Sequence, residues 1–395
     1  MIPPGQSVPP TGATADVEEA SASGLVSRLR QPPSTRRAAR LTAPVAGIHY
    51  GWWIALAAVL STFVGVGVGR FALGMLLPAM GAALDLNYVQ MGWISTANFI
   101  GYLLGALWVR RLLPRFGERR LIAVALMAVV ATMAGVSLAS GFWPLVILYT
   151  GTGVGSGIAF VCTVTLLPHW FASKYRGRAA GTLATGTGLA MMLAGWAIPL
   201  INQSMGAVGW RLGWGGLAAV CLPLALFCLL VVRNRPGDMA LRPYGESTGA
   251  APPTASRTAN RAANRAANRA ARTQAAQNGP QNGPQRGPQH NIAANAAAER
   301  NLIMRLGAVY SLFGATYVIY ATFVVTTLVR EHGMAEAEAG LFWIGLGFFT
   351  LFCGPVLGGL SDRLGRRTGI IVSFLLQGTA YALIAYSSGI WGGIW

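Results

Sequence analysis

The stretch GVGVGRFALGMLLPAM, residues Gly65–Met80, lies inside an apolar run that covers roughly residues 52–80. A helix of that length spans the hydrocarbon core of a bilayer, about 30 Å at about 1.5 Å per residue. If the helix runs from Trp52 to Met80, its middle falls near Val66. Arg70 then sits about four residues, on the order of 6 Å, from the midplane. The core boundary is about 15 Å from the midplane, so a side chain pointing outward covers most of the distance to water and not all of it. A central arginine costs about 2.5–3.5 kcal/mol. Something must solvate it: a water-filled cavity, an anion, or carbonyls of neighbouring helices. Gly65, Gly67 and Gly69 thin the helix just before it and let another backbone approach.

Working outward, similar runs recur at roughly 89–108, 121–140, 144–167, 179–203, 212–232, 306–329, 340–358 and 368–388, nine spans in all. The 395-residue chain is 53% hydrophobic and 11% charged, against about 25% charged for ordinary soluble domains. A net charge of +18 suggests nucleic acid at first, but its placement excludes that reading. Arg28, Arg30, Arg36, Arg37 and Arg40 precede the first span; Arg110, Arg111, Arg115, Arg119 and Arg120 follow the second; Lys174, Arg176 and Arg178 follow the fourth. The segment after span six is arginine-rich, and Arg363, Arg366 and Arg367 follow span eight. The alternate loops hold Asp85, no charge, Arg211 alone, and Arg330 mixed with Glu331, Glu336 and Glu338. Basic residues in every second loop are the positive-inside pattern for a cytoplasmic N-terminus in the inner membrane. Cys162, Cys221, Cys228 and Cys353 all fall in spans with no metal-ligand spacing and behave as small hydrophobes. No cleavable signal precedes the first span, which serves as the insertion signal.

Four regions follow from this pattern: a disordered tail over 1–48, a six-helix bundle over 49–234, a disordered basic linker over 235–303, and a partial second bundle over 304–395. The linker contains ANRAANRAANRAAR, then QNGPQNGPQRGPQ. The second repeat cannot pack a core; the first is either a tolerated expansion or a transient helix on anionic lipid. Ending at SSGIWGGIW with an odd number of spans, the chain is expected to be C-terminally truncated.

After span eight comes GGLSDRLGRR, residues 358–367. The chain here resembles the major facilitator superfamily, whose signature cytoplasmic loop reads G-x-x-x-D-R-x-G-R-R. Gly358, Asp362, Arg363, Gly365, Arg366 and Arg367 match it position for position. In the first half the corresponding stretch is PRFGERR, residues 114–120, where Arg115, Gly117 and Arg119 agree while Pro114 replaces the aspartate and Glu118 an arginine. More narrowly, GVGRFALGMLLPAM, STANFIGYLLGAL and GATYVIYATF resemble the YbfB/YjiJ branch. The resemblance implies an all-α integral membrane protein with the twelve-helix fold of that superfamily, two six-helix halves around a midplane site. A complete N-terminal half and about three helices of the C-terminal half are expected here. It also implies that helix one lines the central cavity, which places Arg70 near the substrate path, and that Gly358, Asp362, Arg363, Gly365, Arg366 and Arg367 form a gating latch near the start of span five.

All twelve acidic residues lie outside the spans. Nothing acidic in these helices can neutralise Arg70 at depth, so its expected partner is an anionic substrate. Asn98 in span two, and Tyr310, Tyr317 and Tyr320 in span seven, complete the candidate binding set; Tyr310 and Tyr317 are seven apart and share a helix face. Packing and helix–helix hydrogen bonds account for them equally well. GTGVGSG (151–157) mimics a nucleotide loop but lies inside a span, with no acidic residue about twenty positions on. No nucleophile–base constellation appears, so no enzyme, cofactor or metal is expected. The reading is a monomeric secondary active transporter of a small organic, anionic solute, embedded in lipid and without a nucleic-acid partner. The alternatives are a non-transporting sensor or scaffold of the same fold, or an inactive truncated transporter.

Overall fold

The computed structural model describes residues 49–239, 241–246 and 288–390. The tail over 1–48, the first linker repeat and the second up to residue 287 lie outside the described residues; from Pro288 the stretch expected to belong to a disordered linker is helical. Helix α1, Tyr50–Ala83, is continuous for 34 residues. An α-helix (Tyr50–Thr62) gives way to a π-helical stretch (Phe63–Phe71) and then a second α-helix (Ala72–Ala83). The next helical run, Tyr88–Leu138, opens on a capping box formed by Asn87 and Gln90 and is 51 residues long, about 76 Å if straight. It is not straight. Gly117, at φ 72 and ψ 164, divides it into α2 (88–116) and α3 (118–138). Both lie on α4, Phe142–Trp170. Gly153 of α4 abuts the Asn98 carbonyl in α2, and Gly155 abuts the Ala125 carbonyl in α3. Residues 98 and 125 therefore meet α4 at one level, so the chain must reverse at Gly117.

Helix α5 comprises Ser173–Gly181 and Leu183–Met205, meeting at Thr182. Gly206, at φ 57, opens a short 3-10 turn and returns the chain into α6, Gly209–Val231. Helices α7 (Pro288–Arg330), α8 (Glu336–Leu364) and α9 (Arg366–Ile390) complete the described structure. Among the described residues six segments are long and apolar enough to cross a membrane, and two of them, Tyr88–Leu138 and Ser173–Val231, are the ones divided at Gly117 and Gly206. The ninth apolar run falls in α9. Gly365, between α8 and α9, stands at φ 87 and ψ 149, nearly the backbone of Gly117. The two glycines aligned by the loop motif thus make the same turn, in a region essentially closed to residues with a Cβ.

Helix α1 is the most buried span and runs through the middle of the others. Leu76 and Met80 of its second half are fully buried, and Tyr149 and Trp214 meet edge-on beside them; the Trp214 indole N–H donates to Met80 Sδ at 3.2 Å. Outward-facing positions are apolar as well: Leu138 is 81% exposed and Trp143 and Ile147 are each 69% exposed. A bundle apolar inside and out suits lipid rather than water. At the arginine-rich end, residues 235–239 and 241–246 pack against the bundle, although composition assigned them to the linker. Tyr244 meets Trp52, Phe171 and Tyr175 edge-on or tilted, and Ala172 donates its N–H to the Tyr244 carbonyl at 3.0 Å. Burial of one aromatic ring overrides a polar, proline-containing sequence.

Candidate functional site

Arg70 lies in the π-helical stretch of α1, whose sequence is FVGVGVGRF. Widening the helix to an i→i+5 pattern pulls carbonyls out of the regular ladder, and such stretches are frequent at functional sites. Side chains from neighbouring helices take these carbonyls up. Ser156 Oγ donates to Gly65 O at 2.5 Å, Asn98 Nδ2 to Gly69 O at 3.4 Å, and Tyr149 Oη to Arg70 O at 3.1 Å. The glycines make this approach possible: a Cβ on Gly67 would strike Ala190, and one on Gly69 would press on Ser156 Oγ.

The Arg70 side chain turns toward α2. Its Cζ stands 4.2 Å from the centre of the Phe99 ring and 4.3 Å from that of Tyr102, both within cation–π range. Tyr317 of α7 is also close enough to interact with the charge. Aromatic faces stabilise a cation, but they do not accept its N–H groups as a carboxylate would. Arg70 Nε and Nη2 are buried and have no hydrogen-bond partner among the described residues. The carbonyl-tied arginine, one of the readings open from sequence, is therefore not what the structure shows at these two nitrogens.

Beside the guanidinium is a narrow cavity walled by Asn98, Phe99, Tyr149, Ser95 and Thr322 as well as Arg70. Water centres have about 10 Å³ of room in it, enough for about one molecule. An organic solute enters only if the walls part. Those walls belong to different parts of the chain: Ser95 of α2 and Thr322 of α7 share a 2.7 Å hydrogen bond, and both are buried. The structure is closed around Arg70.

Of the residues singled out by sequence, Asn98 adjoins the cavity but is chiefly a brace, donating to Tyr149 O at 3.1 Å and to Gly69 O. Its Oδ1 is buried without a partner. Tyr317 packs edge-on against Phe71, centres 6.0 Å apart, and stacks on Phe313. Tyr320 is half-buried on the same helix and does not wall the cavity. The side chains of Tyr310, Asp362, Arg363 and Arg366 lie outside the described residues, as does the packing of Gly358; Gly365 makes the turn already noted, and Arg367 is exposed. The arginine-rich end of α8 does reach the first part of α5, where Gly354 abuts the Gly181 carbonyl. Sequence reasoning missed Phe99, Tyr102, Tyr149, Ser95 and Thr322. A faint signal existed, since Asn98, Phe99 and Tyr102 fall within one turn or so of α2.

Residues 42–395 match the Major Facilitator Superfamily. The chain belongs to the Major Facilitator Superfamily. Individual relatives agree. A "putative metabolite transport protein" of Haemophilus influenzae is 28% identical over 165 residues, 41% of this chain and 39% of that protein. The "4-hydroxybenzoate transporter PcaK" of Pseudomonas putida is 28% identical over 203 residues, 48% of this chain and 44% of the relative. The "3-(3-hydroxy-phenyl)propionate transporter" of Escherichia coli is 30% identical over 169 residues, 42% of this chain and 40% of the relative. The chain thus spans about two-fifths of the length of these curated relatives. Among solved structures, an inward-facing bacterial homologue of the human lysosomal transporter Spinster superposes with a TM-score of 0.55 at 17% identity, over 80% of this chain and 64% of the other. The D-xylose-proton symporter gives 0.54 at 15%, over 80% and 70%. At that identity the likeness is one of fold: a multi-pass, almost entirely helical membrane protein of the superfamily. Proteins of this superfamily are transporters and not enzymes.

Proposed function

We propose that the protein is a secondary transporter that carries a small organic anion across the inner membrane by alternating access, with Arg70 as the anion-binding group. The carrying observation is the buried Arg70 guanidinium, held against Phe99 and Tyr102 with Nε and Nη2 unpaired. A carboxylate is the partner that geometry suits, because it accepts two parallel N–H bonds at once. Aromatic neighbours, Phe71, Tyr149 and Tyr317 among them, favour an anion with a flat apolar body. Relatives named for 4-hydroxybenzoate, 3-(3-hydroxyphenyl)propionate and hexuronate transport support an organic acid. Within the superfamily we place the chain nearest the YbfB/YjiJ branch, on the stretches of α1, α2 and α7 given above.

The loop arginines put the end bearing Arg115, Arg119 and Arg176 in the cytoplasm and the end bearing Asp85 and Glu331 outside. Asp362 and its arginines then form a cytoplasmic latch against the start of α5; the Gly354–Gly181 approach supports that position. Uptake of radiolabelled hydroxybenzoate, hydroxyphenylpropionate and uronate by proteoliposomes, with Arg70→Gln in parallel, tests the function. No uptake of any organic acid by the parent protein, or equal uptake by the variant, refutes it. For the latch, Asp362→Ala should shift cysteine accessibility toward an inward-open state; an unchanged labelling pattern counts against it.

A further inference from the structure

Helices α5 and α8 pack together from Gly181 and Gly354 at one end to Asn202 and Glu336 at the other, and their contact has a regular construction. Gly181, Gly188 and Gly195 recur every seven residues on α5; Gly340, Gly347 and Gly354 recur every seven on α8. They pair in antiparallel order. A methyl group on Gly188 would land on the Gly347 carbonyl, and one on Gly347 on the Gly188 carbonyl. Gly195 and Gly340 stand in the same reciprocal relation, and Gly354 meets the Gly181 carbonyl. Backbone lies against backbone at these pairs, with the side chains of Leu351, Ile344, Met192 and Pro199 close beside them. Close packing of this kind between two helices suits small sliding motions of one against the other.

One more step of seven along α5 leads to Asn202. Here the seam ends in a polar contact: Asn202 Nδ2 donates to Glu336 Oε2, on the first turn of α8, at 2.8 Å. The other end of the same amide, Asn202 Oδ1, is buried without a partner among the described residues. Both residues line a depression of about 440 Å³ at the arginine-poor end, with Ala79, Ala82 and Ala83 of α1 on its opposite wall. Ala79 is nine residues from Arg70 along α1, about 14 Å. Two other polar contacts join the halves near this end, Tyr88 Oη to Glu331 Oε1 at 3.2 Å and Arg330 Nη2 to Pro78 O at 3.3 Å. Those tie α7 to α2 and α1 and leave the α5–α8 side to Asn202 and Glu336.

We infer that the Asn202–Glu336 hydrogen bond is the lock of an outward gate hinged on the glycine pairs of α5 and α8, and that its release exposes the Arg70 cavity from the arginine-poor face. Opening swings the first turns of α8 from the end of α5 and carries the adjoining part of α7 with them, which parts Thr322 from Ser95 on the cavity wall. The inference extends the transport reading above but is tested without transport. Ser95→Cys, in a Cys353→Ser background, places a thiol on the wall of the Arg70 cavity, where Ser95 is buried. An impermeant thiol reagent is added to intact cells and the labelling rate measured. Asn202→Ala and Glu336→Ala should each raise that rate at least tenfold. Asn202→Asp, which keeps the side chain's shape and sets a second carboxylate against Glu336, should raise it as much. Glu336→Gln keeps the acceptor and should stay within twofold of the parent. Unchanged labelling in Asn202→Asp and in both alanine variants overturns the gate. So does a Glu336→Gln rate equal to that of Glu336→Ala. Failure of Arg70-dependent uptake alone would sink the substrate reading and leave these rates as they are.

Discussion

Replacing Arg70 with glutamine separates a binding arginine from a structural one. In the described structure Nε and Nη2 are buried without partners, and each unmet donor costs about 1–3 kcal/mol. The rings of Phe99 and Tyr102 offset part of that cost, at about 0.5–2 kcal/mol each. Glutamine removes the buried charge and replaces the guanidinium with a shorter neutral amide that costs less to bury, so the empty protein should be at least as stable as the parent. The ligand-bound state tells the other half. Two charge-assisted hydrogen bonds to a carboxylate contribute about 1.5–3 kcal/mol each, or about 3–6 kcal/mol together. At 1.4 kcal/mol per tenfold, Arg70→Gln should weaken anion binding by at least about 100-fold. Thermal unfolding of detergent-purified protein, with and without a panel of carboxylates, reads both quantities. Expected are an equal or higher Tm when empty and loss of the carboxylate-induced rise. An empty variant that unfolds many degrees below the parent, with the ligand shift intact, would show that Arg70 holds the fold together and binds nothing.

Gly117 and Gly365 occupy backbone open to glycine alone, so Gly117→Ala and Gly365→Ala should each cost about 1–3 kcal/mol, seen as a lower unfolding temperature. Gly153→Ala should cost a similar amount, about 1–3 kcal/mol, because its methyl would strike the Asn98 carbonyl. Gly141→Ala, with nothing within 4 Å of the added carbon, is the matched control and should leave the unfolding temperature in place.

The spans were legible in the sequence because hydrocarbon imposes one-dimensional rules: each crossing needs a long apolar run, and loop arginines report sidedness. Arg70 stood out for the same reason, as a charge at a depth where none is free. The loop motif aligns Gly117 with Gly365, but that both make the same turn at positive φ came from the structure. The surroundings of Arg70 were not legible. Phe99 and Tyr102 read as ordinary apolar residues of α2, and the π-helical winding leaves no trace beyond glycines that serve packing equally well. Nor did composition show that Tyr244, beyond the sixth span, would return to the aromatic cluster at the arginine-rich end.

Sequence alone determined which segments enter the membrane, the family pattern, and the presence of a cation without an acidic neighbour in the same spans. Only the tertiary structure decided what that cation touches, which carbonyls the π-helix frees, and how the glycines of α5 find those of α8. Burial in lipid depends on the residues of one segment, whereas contact between segments depends on relative rotation and height, which no single stretch encodes.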